Sequence, residues 1–270
     1  TFREWAPSDA AQARLEGLVS VQLGTPNVVA NGRCGEPDYR AGGERLCWSI
    51  VDTVYPVVDG RRVAMVTAVG SDAYDRLYPS RSVSARLALF ALSPRGTDDW
   101  TIDTSRTDIE TGQYGQPGSF RVGALGPATA GWIVDDAWNA MDDEGRRVSA
   151  FAVDGHSIRR VLDTDVRLVQ PAPRQFCFGG EVDVTLRLDP QAENNGFYRL
   201  TGERVHRYWT DDEWTDDDGH VARRVPVELR YRSDTGSYPS LTIDSAGHPR
   251  TPARNPQSFD CGMHVWAMDK

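Results

Sequence analysis

The chain has 270 residues, of which 39% are hydrophobic and 26% are charged, and it contains 25 Gly and 16 Pro. This composition predicts a folded, turn-rich globule and excludes disorder along the whole chain. An excess of 39 acidic over 30 basic residues gives a net charge of −9, which excludes nucleic acid and anionic membrane surfaces as natural partners, because like charges repel. A basic partner would complement this charge, and solubility alone is the alternative explanation.

The first predicted element is a short helix near the N-terminus. Pro7 and Ser8 occupy positions that are typical of a helix start. The apolar residues that follow recur at a rough helical spacing, at Ala10, Ala13, Leu15, Leu18 and Val19. Little of the remaining sequence indicates helix.

From Ile50 onward the sequence predicts antiparallel strands joined by hairpins. Short β-branched and aromatic runs alternate with turn signals, as such strands require. The candidate strands are 48–54, 62–69, 85–92, 100–104, 119–125, 131–135, 147–153, 156–163, 181–188, 197–203, 205–209, 225–232, 240–244 and 264–267. We therefore predict a mainly β fold whose antiparallel sheets form a propeller-like array or a sandwich, with one short N-terminal helix.

Similar turns precede several of these strands. An acidic or amide residue and Gly stand ahead of a strand in 57–66, 142–153, 193–202, 216–229 and 234–243. Asp-Gly and Asn-Gly supply the positive φ angles that tight hairpins need. The recurrence fits propeller blades and independent hairpins equally well. Because QPAPR at 170–174 interrupts the pattern, we predict an N-terminal β-rich half (1–170) and a C-terminal β-rich half (171–270), packed together as one unit.

The four cysteines predict two disulfides and an oxidising compartment. Cys34 and Cys47 flank a Gly-rich stretch that a covalent link would stabilise, and Cys177 and Cys261 remain as the second pair. A zinc site is disfavoured because no CxxC motif supplies paired ligands. The chain begins with Thr1 and has no long apolar run, so we expect a processed, exported protein in the periplasm or outside the cell. A lipid anchor on the precursor is a further alternative.

Two segments match the pattern of calcium-binding loops in part. In 210–220, Asp216, Asp218 and Gly219 fit positions of a calcium loop, but Trp214 and Val225 stand where carboxylates are required. The segment 233–241 resembles the calcium-binding repeats of integrin-type propellers, although serine, glycine and arginine replace the ligands. That resemblance implies a hairpin shape. We predict no cofactor, with calcium as an alternative on a degenerate ligand pattern.

The sequence contains no recognisable catalytic signature. There is no GxSxG motif, and the five histidines lie in no HExxH motif. With the cysteines assigned to disulfides, no thiol nucleophile remains. Paired carboxylates gathered across a cleft are invisible in a sequence, so an extracytoplasmic hydrolase that acts on glycan or peptide is kept as an alternative. We predict that the protein is not an enzyme.

One acidic segment is typical of a protein-binding loop. Aromatic residues provide anchoring area, and a dense negative charge steers basic partners. The predicted partner-binding residues are Trp209, Asp211, Asp212, Glu213, Trp214, Asp216, Asp217 and Asp218. The alternative is that one Trp packs on the core while the acidic side chains only keep the loop exposed to solvent. The eight Trp keep a carbohydrate-binding or structural module as a third alternative.

The stretch TGQYGQPGSFRVGALGPATAGWIV, within 111–151, resembles a pattern of exported bacterial β-rich proteins and lipoproteins of ill-defined function. The hairpins of the second half are similar in style to those of periplasmic immunity proteins. This resemblance implies a non-enzymatic inhibitor that inserts loops into the active-site cleft of a toxin or hydrolase. Our leading hypothesis is accordingly an acidic, periplasmic inhibitor or immunity protein.

Overall fold

The computed structural model describes residues 5–24, 46–72, 85–113, 117–140, 143–170, 178–210 and 220–241. The described elements are α1 (Asp9–Gln22), β1 (Leu46–Val54), β2 (Val57–Val58), β3 (Arg61–Arg62), β4 (Ala64–Asp72), β5 (Ala85–Arg95), β6 (Asp99–Thr111), β7 (Ser119–Gly126), β8 (Thr129–Ala140), β9 (Asp143–Asp154), β10 (Ser157–Gln170), β11 (Phe178–Asn194), β12 (Phe197–Thr210) and β13 (His220–Leu229). The predicted mainly β fold with one short N-terminal helix is confirmed.

Helix α1 begins where the sequence predicts. The Ser8 Oγ accepts a hydrogen bond from the backbone N–H of Ala11 at 3.1 Å, which satisfies a free donor of the first turn. The buried stripe differs from the predicted one, because Ala10 and Ala13 are exposed. The helix instead buries every fourth residue: Ala11, Leu15 and Val19. This spacing keeps side chains on one face of a helix.

The helix covers one face of the small sheet, in which the strand order is β1-β4-β5-β6. Strands β4 and β5 are buried on both faces, so they are almost continuously apolar. The face toward the helix carries Ala64, Val66, Ala68, Ala88, Phe90, Leu92 and Trp100. The opposite face packs Met65, Leu87, Leu89 and Ala91 against Ala130, Trp132, Val134, Phe151 and Ile158 of the second sheet.

The second, large sheet is a continuous meander from β7 to β13, ordered β13-β12-β11-β10-β9-β8-β7. Each described strand pairs antiparallel with its neighbour in the chain. Helix, small sheet and large sheet thus form three layers, with one core between the helix and the small sheet and another between the two sheets. Of the two arrangements that the sequence predicts, the sandwich is the one observed, because the two sheets pack face to face.

The large sheet curls until its first and fifth hairpins meet. The Thr129 Oγ1 in the β7–β8 hairpin donates a hydrogen bond to the Gly196 carbonyl in the β11–β12 hairpin at 3.2 Å. A Cβ atom at Gly126 would overlap that same carbonyl, so this approach requires glycine. The inner, concave face of the curled sheet is apolar and includes Leu125, Ala150, Ala152, Leu162, Leu200 and Leu229.

A segment that we call the strap, residues 230–241, crosses this inner face after β13. Tyr231 stacks on Phe197 with ring centroids 3.9 Å apart, and Tyr238 is 4% exposed among the same apolar side chains. The Arg159 guanidinium donates a hydrogen bond to the Tyr231 hydroxyl at 2.7 Å. The strap therefore supplies the aromatic side chains that fill the concave face.

Two predicted turns have the expected backbone. Asp59 and Gly60 have φ of 49° and 72°, and Asn195 and Gly196 have φ of 54° and 82°, as tight hairpins require. The predicted turn at Gly145 is wrong, because Gly145 lies inside β9. A Cβ atom there would overlap the Trp138 indole. Glycine is therefore required at this position because the Trp138 side chain packs close to the backbone, and not because the chain turns.

Three other predictions concern strand boundaries. The predicted strands 197–203 and 205–209 are one strand, β12, because the ladder with β11 continues across Arg204. Of the predicted strand 240–244, Ser240 and Leu241 lie outside any strand, and the rest is outside the described residues, as is 264–267. The predicted boundary after Gln170 falls at the end of β10. Because β10 pairs directly with β11, the two predicted halves contribute strands to the same sheet.

Candidate functional site

The meander places three connections at one end of the large sheet, which we call the acidic end. These connections are 141–142 between β8 and β9, 171–177 between β10 and β11, and 211–219 between β12 and β13. The adjoining pairs Ala140↔Asp143, Gln170↔Gly180 and Tyr208↔His220 fix the strand ends from which they start. Alternate connections of a meander lie at the same end, because each strand reverses direction.

The sequence makes this end strongly negative. Residues 142–144 are Asp-Asp-Glu, and 211–218 contains Asp211, Asp212, Glu213, Asp216, Asp217 and Asp218, whereas Arg174 is the one basic residue of 171–177. The opposite end carries the short turns at 127–128, 155–156 and 195–196. Charge is therefore distributed unevenly along the strand axis, which is the arrangement that steers an oppositely charged partner.

Below the acidic end, cross-strand ion pairs hold the strands together. The Arg167 Nε and Arg207 Nη1 atoms lie 2.8 and 3.1 Å from the two carboxylate oxygens of Glu181. The Glu181 side chain is 13% exposed, and charged pairs that share a partly buried carboxylate are stronger than exposed pairs. Glu181 thus connects β10 to β12 across β11.

A second group of pairs continues this belt into β8 and β9. Arg146 binds Asp135 through two nitrogen–oxygen contacts, and this hydrogen bonding raises the pKa of Arg146. The Arg147 Nε donates to Asp165 at 3.0 Å and lies 4.0 Å from Asp163. The belt neutralises its own carboxylates, so the net negative charge of this end comes from the connections.

The predicted partner-binding residues belong to the acidic end. Trp209 lies on β12, opposite Gly179. The other predicted residues, Asp211, Asp212, Glu213, Trp214, Asp216, Asp217 and Asp218, are outside the described residues, and their flanks Thr210 and His220 are the last and first residues of adjacent strands. The structure thus places both flanks at the outer hairpin of the sheet, whose last strand is β13.

Three of the four cysteines lie outside the described residues. Cys47 lies on β1, opposite Ser71. Cys34, Cys177 and Cys261 are outside the described residues, so both pairings remain predictions. Cys177 immediately precedes Phe178, the first residue of β11, and its position in the chain therefore belongs to the acidic end.

The alternative function, a hydrolase, would require a pocket that holds two carboxyl groups with perturbed pKa values. Burial raises the pKa of Asp136, while hydrogen bonds from the Thr111 hydroxyl and the Gly112 N–H favour its ionised form. These bonds join the end of β6 to β8, so Asp136 connects the two sheets. A shallow depression elsewhere is lined by Val57, Val58, Ala124, Gly126, Pro127, Ala128, Thr129, Ala130 and Tyr198, a set without a carboxyl or imidazole group.

The Trp residues bear on the carbohydrate-binding alternative. Trp132 is completely buried, and its indole N–H donates to the Thr67 hydroxyl at 3.1 Å. Trp5 and Trp100 stack with centroids 5.8 Å apart beside α1, and Trp48 packs on the same core. In the described part of the chain, these four indoles serve the interior rather than an exposed aromatic row.

One of the two calcium candidates can be located. In 233–241, Arg232 pairs with Ser237 and Gly236 has φ of 68°, so the implied hairpin shape is present. Asp234 binds Arg232 at 2.7 Å. Across the described residues, no group of three or more His, Cys, Asp or Glu has metal-binding geometry. The other candidate, 210–220, lies almost wholly outside them.

The ion-pair belt is the feature that sequence reasoning missed. Its signal is present in the sequence, since Arg146-Arg147 and Asp163-Thr-Asp165 place opposite charges on two neighbouring strands. Recognising the pairs requires the register, for example Arg147↔Asp165, which neither segment specifies alone.

No described helix is long and apolar enough to cross a membrane. Comparisons with protein-family models, curated proteins and solved structures found no match.

Proposed function

We propose that this chain is an exported, non-enzymatic binding protein that captures a basic secreted toxin or hydrolase through the acidic end. The observation that carries this proposal is the convergence of the connections 141–142, 171–177 and 211–219 at one end of a single sheet. A rigid sheet that presents loops is a common scaffold for recognition. Export and the two disulfides are part of the proposal.

The β12–β13 hairpin suits this role mechanically. Its ladder runs from Leu200↔Leu229 to Tyr208↔His220, and the Arg224 Nη1 lies 2.7 Å from a Glu203 oxygen across it. Because the ladder is paired up to Tyr208↔His220, both flanks of the connection are fixed, which reduces the conformational entropy that the loop loses when it binds. The six carboxylates in 211–218 would then meet a cationic cleft, with Trp209 and Trp214 providing apolar anchoring area.

The test compares two triple variants that remove equal charge. The immobilised chain is used to isolate binders from a bacterial secreted fraction, and one purified basic binder is titrated at several salt concentrations. For Asp211→Ala/Asp212→Ala/Glu213→Ala we expect the association rate to fall by about tenfold at low salt, with a flatter salt dependence, because rim charges act mainly on association.

The matched control is Asp103→Ala/Asp108→Ala/Glu110→Ala on β6. Asp103 and Glu110 are exposed residues of the small sheet, and Glu110 and Asp108 form surface ion pairs with Arg86 and Arg106, which contribute little to stability. Binding should survive in this control. Equally weakened binding in both variants would show that the effect depends on net charge alone. Unchanged binding in both would refute the proposal that the acidic end contacts the partner.

A further inference from the structure

The turn of the β11–β12 hairpin is an exposed Asn-Gly pair. Asn195 and Gly196 have φ of 54° and 82°, and both residues are exposed to solvent. In such a pair the backbone nitrogen of the second residue can attack the side-chain carbonyl carbon of the first, because glycine has no side chain to hinder the approach. The turn therefore holds both reacting groups in consecutive residues at a position that water reaches.

The Asn195 carboxamide is held less firmly than that of its neighbour Asn194. The Asn194 Nδ2 donates to the Tyr231 carbonyl at 2.5 Å, whereas the Asn195 Nδ2 lies 3.5 Å from the same oxygen, at the outer limit of a hydrogen bond. Asn194 also pairs with Phe197 in the ladder, and the residue that follows it is not glycine. Of these two adjacent asparagines, Asn195 is thus the one placed to react.

A carboxylate lies beside the attacking nitrogen. The Gly196 N–H donates a hydrogen bond to the Glu193 Oε1 at 3.0 Å. A proton acceptor has to lie within hydrogen-bond reach of the proton that it removes, and Glu193 meets this requirement for the N–H that must lose its proton. The pairing Glu193↔Tyr198 in the β11–β12 ladder fixes the backbone of this residue.

We propose that Asn195 is a site of spontaneous deamidation and that Glu193 accepts the proton in the step that closes the ring. The Gly196 nitrogen bonds to the Asn195 Cγ, and the bond from Cγ to Nδ2 breaks. The proton passes from the Gly196 nitrogen through Glu193 to the leaving amine, which departs as ammonia. The resulting succinimide adds water and opens at either of its carbonyl carbons, which gives aspartate or isoaspartate.

The modification acts on the contact at which the large sheet curls. The Gly196 carbonyl accepts a hydrogen bond from the Thr129 hydroxyl at 3.2 Å. Isoaspartate adds a methylene group to the backbone immediately before Gly196, which displaces this carbonyl. Both products also place a new negative charge beside Glu193, and like charges repel. Deamidation should therefore loosen the contact between the β7–β8 and β11–β12 hairpins.

Peptide mapping by mass spectrometry tests the chemistry. The full chain is incubated at mildly alkaline pH, both folded and in denaturant, and the peptide that contains 195–196 is followed for the mass gain that exchange of –NH2 for –OH brings. We expect the folded chain to lose Asn195. In denaturant, the second Asn-Gly pair, 31–32, is the reference for the rate. A folded chain that keeps Asn195 intact while the denatured chain loses it would overturn the proposal.

The variant Glu193→Gln tests the proton acceptor. It keeps an oxygen atom that can accept the Gly196 N–H but removes the carboxylate. Loss of Asn195 should become severalfold slower in the folded variant and should be unchanged in denaturant, where the contact is absent. Equal rates for the folded variant and the folded original chain would refute the role of Glu193.

Thermal unfolding after incubation measures the consequence. The unfolding midpoint of the original chain should fall as the modified fraction grows. The matched control is Asn195→Gly, which tolerates a positive φ and has no carboxamide from which the ring could form, and its midpoint should stay constant. A fall of equal size in both chains would show that the contact between the hairpins does not depend on Asn195, which contradicts the proposed effect.

Discussion

Asp136 is a residue whose environment favours its neutral form. Burial is the largest influence on its pKa and raises it above the ordinary value of 3.8, although the Thr111 and Gly112 hydrogen bonds act in the opposite direction. A carboxyl with a raised pKa in the folded state contributes most to stability below its ordinary pKa, and this contribution is lost as pH rises through the folded value.

We therefore expect Asp136→Asn to retain the unfolding free energy at pH 7 or to increase it. The Asn Oδ1 atom can accept both hydrogen bonds without a buried charge, whereas Asp136→Ala loses both and should cost about 1–3 kcal/mol. Denaturant unfolding at pH 7 and at pH 3 measures this, and the advantage of Asn over Asp should vanish at the lower pH. Equal damage by Asn and Ala at pH 7 would show that the charge itself is required.

Residue contacts of this kind could not be predicted from the sequence. Asp136 is 25 residues from Thr111, and the buried Trp132–Thr67 hydrogen bond spans 65 residues, so each depends on how the two sheets pack. Ser8 as the cap of α1 was predictable because capping acts over three residues. Local chemistry was therefore visible in the sequence, and contacts between layers were not.

At the scale of elements, Gly126 controls how far the large sheet curls. A Cβ atom there would overlap the backbone carbonyl of Gly196, and a backbone atom cannot rotate away as a side chain can. Gly126→Ala should therefore force the β7–β8 and β11–β12 hairpins apart, at a cost of about 1–3 kcal/mol, as overpacking usually costs.

The matched control is Gly123→Ala on the same strand, where the nearest atom to a new Cβ is the Arg121 Nη1 at 3.9 Å. Urea unfolding of both variants checks the prediction, and Gly123→Ala should stay within about 0.5–1 kcal/mol, the range of a Gly-to-Ala exchange at a permissive site. Equal midpoints for the two variants would mean that the hairpins separate without cost.

Turn chemistry explains which elements were predictable. Asp59-Gly60 and Asn195-Gly196 specify their hairpins locally through positive φ. The glycine in β9 was misread because a close approach by Trp138 leaves no local signature. The break predicted within β12 was wrong for a related reason, since a polar residue within a ladder looks like a boundary when the neighbouring strand is unknown.

At the scale of the whole molecule, the choice between propeller and sandwich was open in the sequence because both are built from the same hairpins. The partition into a small and a large sheet depends on which strands pair across long separations. The acidic loop was visible from its composition, but its position beside 141–142 and 171–177 follows only from the meander. The candidate site was thus predictable in its chemistry and not in its location.

The predicted disulfides have a direct test. We expect non-reducing peptide mapping to find Cys177 linked to Cys261 and Cys34 linked to Cys47. Reduction of the distant link should cost about 2–4 kcal/mol of unfolding free energy. Free thiols in the native protein, or a link between Cys34 and Cys177, would contradict this pairing and weaken the case for export.

The direct pairing of β10 with β11 means that the chain cannot be divided at its middle. A molecule severed by an inserted protease site between Gln170 and Phe178 would keep the β10–β11 ladder, and residues from the second fragment would still fill the concavity of the first through Tyr238. The two pieces would therefore elute together as one particle, and they would separate only in denaturant. Each fragment expressed alone would lack part of the same core and should require the other in order to fold.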